Sequence, residues 1–174
     1  GPIKASTADL TEELAGKIGD TIARRSDDLL PKEVTLEDRI ANIVEANKGK
    51  SLPVISISIT EEHVGRAAID PAAETEFQHM ALKAGYEVVE PGGGDENVVR
   101  LVGEGFSEFA HRKGNLISVK ARVEVKALDR DGKVIAEDRQ TRVAVDLAEQ
   151  MAAKKALQDA AADLAERMLK ELAD

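Results

Sequence analysis

The sequence predicts an α/β chain of two layers (α+β): a mixed sheet with one parallel strand-helix-strand unit, an antiparallel meander after it, and helices mainly on one face. Three observations carry this. Residues 116–128 alternate strictly, with Ile117, Val119, Ala121, Val123, Val125 and Ala127 on one side and Ser118, Lys120, Arg122, Glu124 and Lys126 on the other. That pattern belongs to a strand covered on one face and wet on the other. A helical pattern closed by Gly85 separates two short apolar strands, which is the layout of a parallel crossover. After the last turn signal the chain becomes a long Ala/Leu-rich run with a buried stripe of Met151, Leu157, Ala161, Leu164, Met168 and Leu172.

The elements follow in order. Leu10, Leu14, Ile18 and Ile22 recur at steps of four over 7–25, with Thr7 or Thr11 able to cap and Asp9, Glu12 and Glu13 in the first turn. This predicts an amphipathic helix in which Gly16 and Gly19 serve close packing. After Pro31 a second helix is expected over 35–47, capped by Thr35 with Asp38 at N3, its Leu36, Ile40, Ile43 and Val44 facing inward. Pro53 opens a strand over 54–59 that alternates Ile55, Ile57 and Ile59 with Ser56 and Ser58. Asp70 and Pro71 read as N-cap and first residue of a helix over 71–84, with Phe77, Met80, Ala81 and Ala84 on one face. A strand at 86–90 follows.

Another strand is expected over 98–110, bent or bulged at Gly103 and Gly105. Residues 111–115 turn into the strand at 116–128, and Asp129 to Gly132 form a hairpin turn into 133–145. Asp146 and Glu149 read as a capping box opening the last helix, which runs to about 172. The charged run 137–142 is expected on the wet face, paired across strands with the Lys/Arg/Glu face of 118–126 or guarding an edge. Two segments result: a helical one over 1–50 and an α/β domain over 51–174.

Composition narrows the function. With 33 acidic against 24 basic residues the net charge is -9, which repels a phosphate backbone, so no nucleic-acid partner is expected. The aromatic rings are Phe77, Phe106, Phe109 and Tyr86, too few for a base-stacking platform. The absence of cysteine excludes disulfides, thiolate metal ligands and a cysteine nucleophile. No apolar run is long enough for a membrane-spanning helix. Gly1 and Pro2 read as the remnant of a cleaved tag, so a signal or lipid-anchor segment upstream is compatible with the sequence.

The helix start Ile69 to Glu76, the strand Gly85 to Val89, the segment Val102 to Phe109, the strand Ala121 to Lys126 and the closing hairpin and helix resemble the curli-secretion-channel-like family of bacterial envelope proteins. Relatives of that family include the amino-terminal domain of TolB and the penicillin-binding-protein activator lipoproteins. The resemblance covers about 120 residues and rests on structural motifs without a catalytic signature. It implies a non-enzymatic, periplasmic or outer-membrane-associated assembly module, with envelope proteins or a second copy as partners and no cofactor. Two departures separate this chain from the founding channel: it lacks the aromatic-girdled strands of a membrane barrel and the lipid-bearing cysteine.

The competing reading is a small-ligand or metal-binding domain. Glu61, Glu62, His63 and Arg66 fall in an expected loop after the first strand, at the carboxyl edge of the parallel pair where open α/β sheets bind ligands. They could coordinate a metal or hold a polar ligand, or simply form a solvated loop, because one His beside two adjacent carboxylates has no recognisable ligand spacing. Gly92 to Gly94 lack the Lys-Ser/Thr of a phosphate loop and read as a linker. His79 is expected at the surface, and His111, Arg112 and Lys113 at a basic hairpin tip. Ser56, Ser58 and Ser107 lie inside expected strands without a nucleophile elbow, which disfavours serine hydrolysis.

Overall fold

A computed structural model describes residues 32–68 and 70–174; the helix expected over 7–25 lies outside the described residues. The compact unit is Thr35–Asp174. Its elements are α1 (Leu36–Ala46), β1 (Ile55–His63), β2 (Arg66–Ala67), α2 (Ala73–Lys83), β3 (Val88–Val89), β4 (Val99–Lys113), β5 (Leu116–Leu128), β6 (Val134–Asp146) and α3 (Glu149–Glu171). The strands form one open mixed sheet in the order β2-β1-β4-β5-β6, with β3 also on β1. Strand β1 runs parallel to β3, as the crossover pattern predicts, and parallel to β4 along its full length. The β4-β5-β6 meander is antiparallel.

Register divides the sheet into two faces. Ile55, Ile57, Ile59, Leu101, Ala121, Val123, Val125 and Ala127 point to one side and are buried with Phe77 and Met80 of α2 and Leu164, Met168 and Leu169 of α3. The opposite face carries Ser58, Thr60, Val102, Glu104, Phe106, Lys120, Arg122, Arg139 and Val143, and no described helix packs on it. Helix α3 supports the covered face with small residues: Ala152, Ala153, Ala156, Ala160, Ala161, Ala162 and Ala165 are all buried. Their methyl side chains let the helix approach the strands and the two neighbouring helices closely. Ile117 and Val119 meet Ala152 and Ala153 in a satellite cluster at the start of α3.

Several expectations change. Gly103 and Gly105 stay in register, and the irregularity falls instead between Phe109 and His111. Gly103 serves close approach, since a Cβ there would stand 2.4 Å from the Glu124 carbonyl oxygen. Val44 and Met151 are exposed rather than inward. Thr35 is the expected N-cap of α1, and with Asp38 at N3 it forms a capping box. Ala72 rather than Asp70 is the N-cap of α2, which starts later, and Asp70 pairs with Lys154 at 2.6 Å. Asp146 belongs to β6, opposite Ile117, so α3 begins beyond it and Glu149 turns elsewhere.

The end of α3 is tied to the rest of the layer. The Leu169 carbonyl accepts from Asn47 Nδ2 at 2.9 Å and from the Tyr86 hydroxyl. Burial pushes the Tyr86 phenol up to about 12, partly offset by the bond from Asn47. Asp163 and Glu166 of α3 hold Arg39 of α1 at 2.6 and 2.8 Å, and Asp163 also holds Arg142 of β6 at 2.5 Å.

Candidate functional site

The stretch expected as a loop is the end of a strand. Because β1 pairs with β4 through His63↔Ser107, the ladder continues through Thr60, Glu61 and Glu62, and only Val64 and Gly65 turn, both at positive φ, into the two-residue β2. Alternation then separates the expected ligands. Glu61 and His63 lie on the helix-covered face, Glu62 lies on the opposite face beside Phe106, and Arg66 is exposed on β2.

Glu61 is 5% exposed, and its carboxylate accepts the amides of Ala72 and Ala73 at 2.8 Å and of Glu74 at 3.2 Å. It therefore caps α2 from a neighbouring strand, supplying the anion that a helix N-terminus favours. The next carboxylate returns the contact, since Glu74 Oε2 accepts the Ile59 amide at 2.9 Å. Gly105, across from Glu61, leaves the space that the side chain fills.

His63 bridges two elements that are far apart along the chain. Its Nδ1 is 2.8 Å from Ser107 Oγ on β4, and its Nε2 is 2.9 Å from Glu149 Oε1 in the first turn of α3. In the neutral ring, Nε2–H donates to the carboxylate and Nδ1 accepts the serine proton, so each polar group has a partner. The line Ser107, His63, Glu149 has the residue types of a hydrolytic triad. Its setting differs, because Ser107 is buried mid-strand with ladder partners on both sides, His63 and Ala121, and its backbone is committed to the sheet rather than to an oxyanion. The arrangement fastens the end of β1 and the middle of β4 to the start of α3.

Among the described residues, no group of three or more His, Asp or Glu side chains is placed to hold a metal ion. Glu62 instead borders an open hollow of about 1000 Å³ on the uncovered sheet face, with Phe106, Glu108, Lys120, Arg122 and Arg139 around it. His79 and His111 are both exposed. Two half-buried carboxylates lie between α2 and α3. Burial raises Glu76, with the His79 charge opposing, and burial likewise raises Asp159, with Lys155 opposing. Asp138 is lowered by its 2.7 Å bond from Arg167.

No family model matches the sequence, and no curated protein matches it. Solved structures similar to this chain include a minor lipoprotein of Acinetobacter baumannii, at 16% identity over 70% of this chain and 91% of that one, with a TM-score of 0.49. The PelC dodecamer of Paraburkholderia phytofirmans is 18% identical over 69% and 86%, TM-score 0.37. Lipoprotein GNA1162 of Neisseria meningitidis is 10% identical over 66% and 97%, TM-score 0.37. No described helix is long and apolar enough to cross a membrane.

Proposed function

We propose that this chain is a non-catalytic protein-interaction module of the bacterial cell envelope. One observation carries the interaction role: the polar groups at the strand ends are engaged in holding the two layers together, whereas a whole sheet face and the outer edge of β6 have no partner among the described elements. The face is suited to protein contact, with half-exposed Val102, Phe106, Val143 and Val145 set among mixed charges. The envelope location rests on the family resemblance of the crossover and closing hairpin. Placing a photo-crosslinking phenylalanine derivative at position 106 in cells tests both parts. A discrete crosslinked protein in the envelope fraction, absent when the probe replaces exposed Lys83, is expected. Equal labelling from both positions, or none, removes the proposal.

A further inference from the structure

We infer that the outer edge of β6 pairs with β6 of a second copy of this chain, antiparallel about Gln140, so that two sheets join into one. The inference rests on the interaction-module reading and names the occupant of the edge. Strand β6 is 13 residues long, and among the described residues only β5 pairs with it. An edge of that length is normally shortened, bulged or covered, because unpaired backbone groups recruit other strands. Here the bulge sits at one end, where Ile135 is the extra residue between Val134 and Ala136, leaving a regular ladder beyond it.

The sequence of that ladder is self-complementary under a twofold axis at Gln140. Ala136 faces Ala144 of the second copy, Asp138 faces Arg142, Arg139 faces Thr141, and Glu137 faces Val143. Beyond the ladder, Ile135 approaches Val145, and both are about half exposed in the single chain, at 45% and 51%. Asp138 and Arg142 point to the helix side, where Arg167 and Asp163 already hold them. Pairing therefore extends one alternating series across the seam: Arg167, Asp138, then Arg142 and Asp163 of the second copy. Other registers lose this match. A shift of two residues one way sets Arg139 against its own copy, and the other way sets Asp138 against Ala144. Parallel pairing in register places Asp138 beside Asp138. An isologous twofold contact of this kind closes on itself and does not propagate.

Two carbonyls at the centre of the edge have side-chain donors in the single chain. Arg139 O accepts from Arg167 Nη2 and Thr141 O from Gln140 Nε2, each at 3.2 Å. In the dimer an incoming strand's amides take the place of both donors; if the donors instead seal the edge, the chain stays monomeric.

Sedimentation of the full chain between about 1 and 100 μM, a range in which a weak specific dimer becomes visible, is expected to show a reversible monomer–dimer equilibrium. Asp138→Arg alone and Arg142→Asp alone each oppose like charges and are expected to sediment as monomers. An equimolar mixture of the two restores both pairs and is expected to give a heterodimer, which also shows that each variant is folded. The chain has no cysteine, so Gln140→Cys is expected to oxidise to a linked dimer, faster than a Lys83→Cys control. A wild-type chain that remains monomeric throughout, or a mixture that gives no heterodimer, overturns the inference. A monomer that still yields the position-106 crosslink would leave the interaction module standing with a different occupant.

Discussion

Glu61 acts as a helix cap carried by a strand rather than by the residues preceding the helix. Replacing it with Ala leaves the Ala72, Ala73 and Glu74 amides without their acceptor and is expected to lower stability by about 2–3 kcal/mol, read from urea unfolding with unchanged m-value. A ligand-binding role alone would leave that midpoint in place. Nothing in the sequence distinguishes this role, because the cap and its helix are joined only by tertiary packing, and a local Asp70-Pro71 signal competes for the same reading. Carboxylates elsewhere set the pH response. Glu76 binds its proton more tightly in the native state than its ordinary value of 4.5 implies. Stability is therefore expected to rise as pH falls from about 7 through its raised native pKa, with the gain complete below the unfolded value. Asp159 acts in the same direction. Asp138 acts oppositely: the stability from its Arg167 pairing is present above its unfolded value and is lost as pH falls through the lowered native one. Glu76→Gln should stabilise the chain at neutral pH and flatten the slope above the ordinary Glu76 value of 4.5; a variant with the wild-type slope would exclude Glu76 as its source.

At the scale of elements, alternation made the strands readable and polarity hid their ends. The covered and wet sides of 116–128 are those of β5. Strand β1 was legible only through Ile59, because Thr60, Glu61, Glu62 and His63 carry no apolar signal; their extension is imposed by the parallel partner β4. The same local logic placed helix starts at Asp70 and Asp146, while the structure assigns one to an ion pair and the other to the end of β6. His63 joins Ser107 and Glu149 across long separations, so only the sheet order brings them together. The charged run of β6 splits likewise: Glu137 and Arg139 face β5 partners Lys126 and Glu124 on the wet side, whereas Asp138 and Arg142 turn to α3. Gly103 offers a test at this scale. Its β4 backbone must move if a Cβ is added against Glu124, so Gly103→Ala should cost about 1–3 kcal/mol in a denaturant titration. A neutral result would mean that the β4-β5 pair has slack at this point.

For the molecule as a whole, the distance between layers is set by α3. Its buried alanines hold the helix close to β5 and β6, so Ala156→Leu should force the layers apart and lower stability by about 1–3 kcal/mol. Thermal unfolding reads the loss, and a compensating Leu157→Ala should not restore it, because the two side chains fill different space. The two-layer plan was visible in the sequence from one-sided strands and an Ala-rich helix. The bare second face was legible as polarity, but its free edge required the strand order. The alanine seam also has a consequence for how this chain can change over generations. Single-base changes in an alanine codon lead to Val, Thr, Ser, Pro, Gly, Asp or Glu. On this face Val and Thr are too large, Pro interrupts the helix, Asp and Glu bury a charge, and Gly gives up about 1 kcal/mol of helix propensity. Serine is left as the mild exit, so the helix that spaces the layers sits in a mutational cul-de-sac, and drift should be concentrated on the exposed side of the same helix.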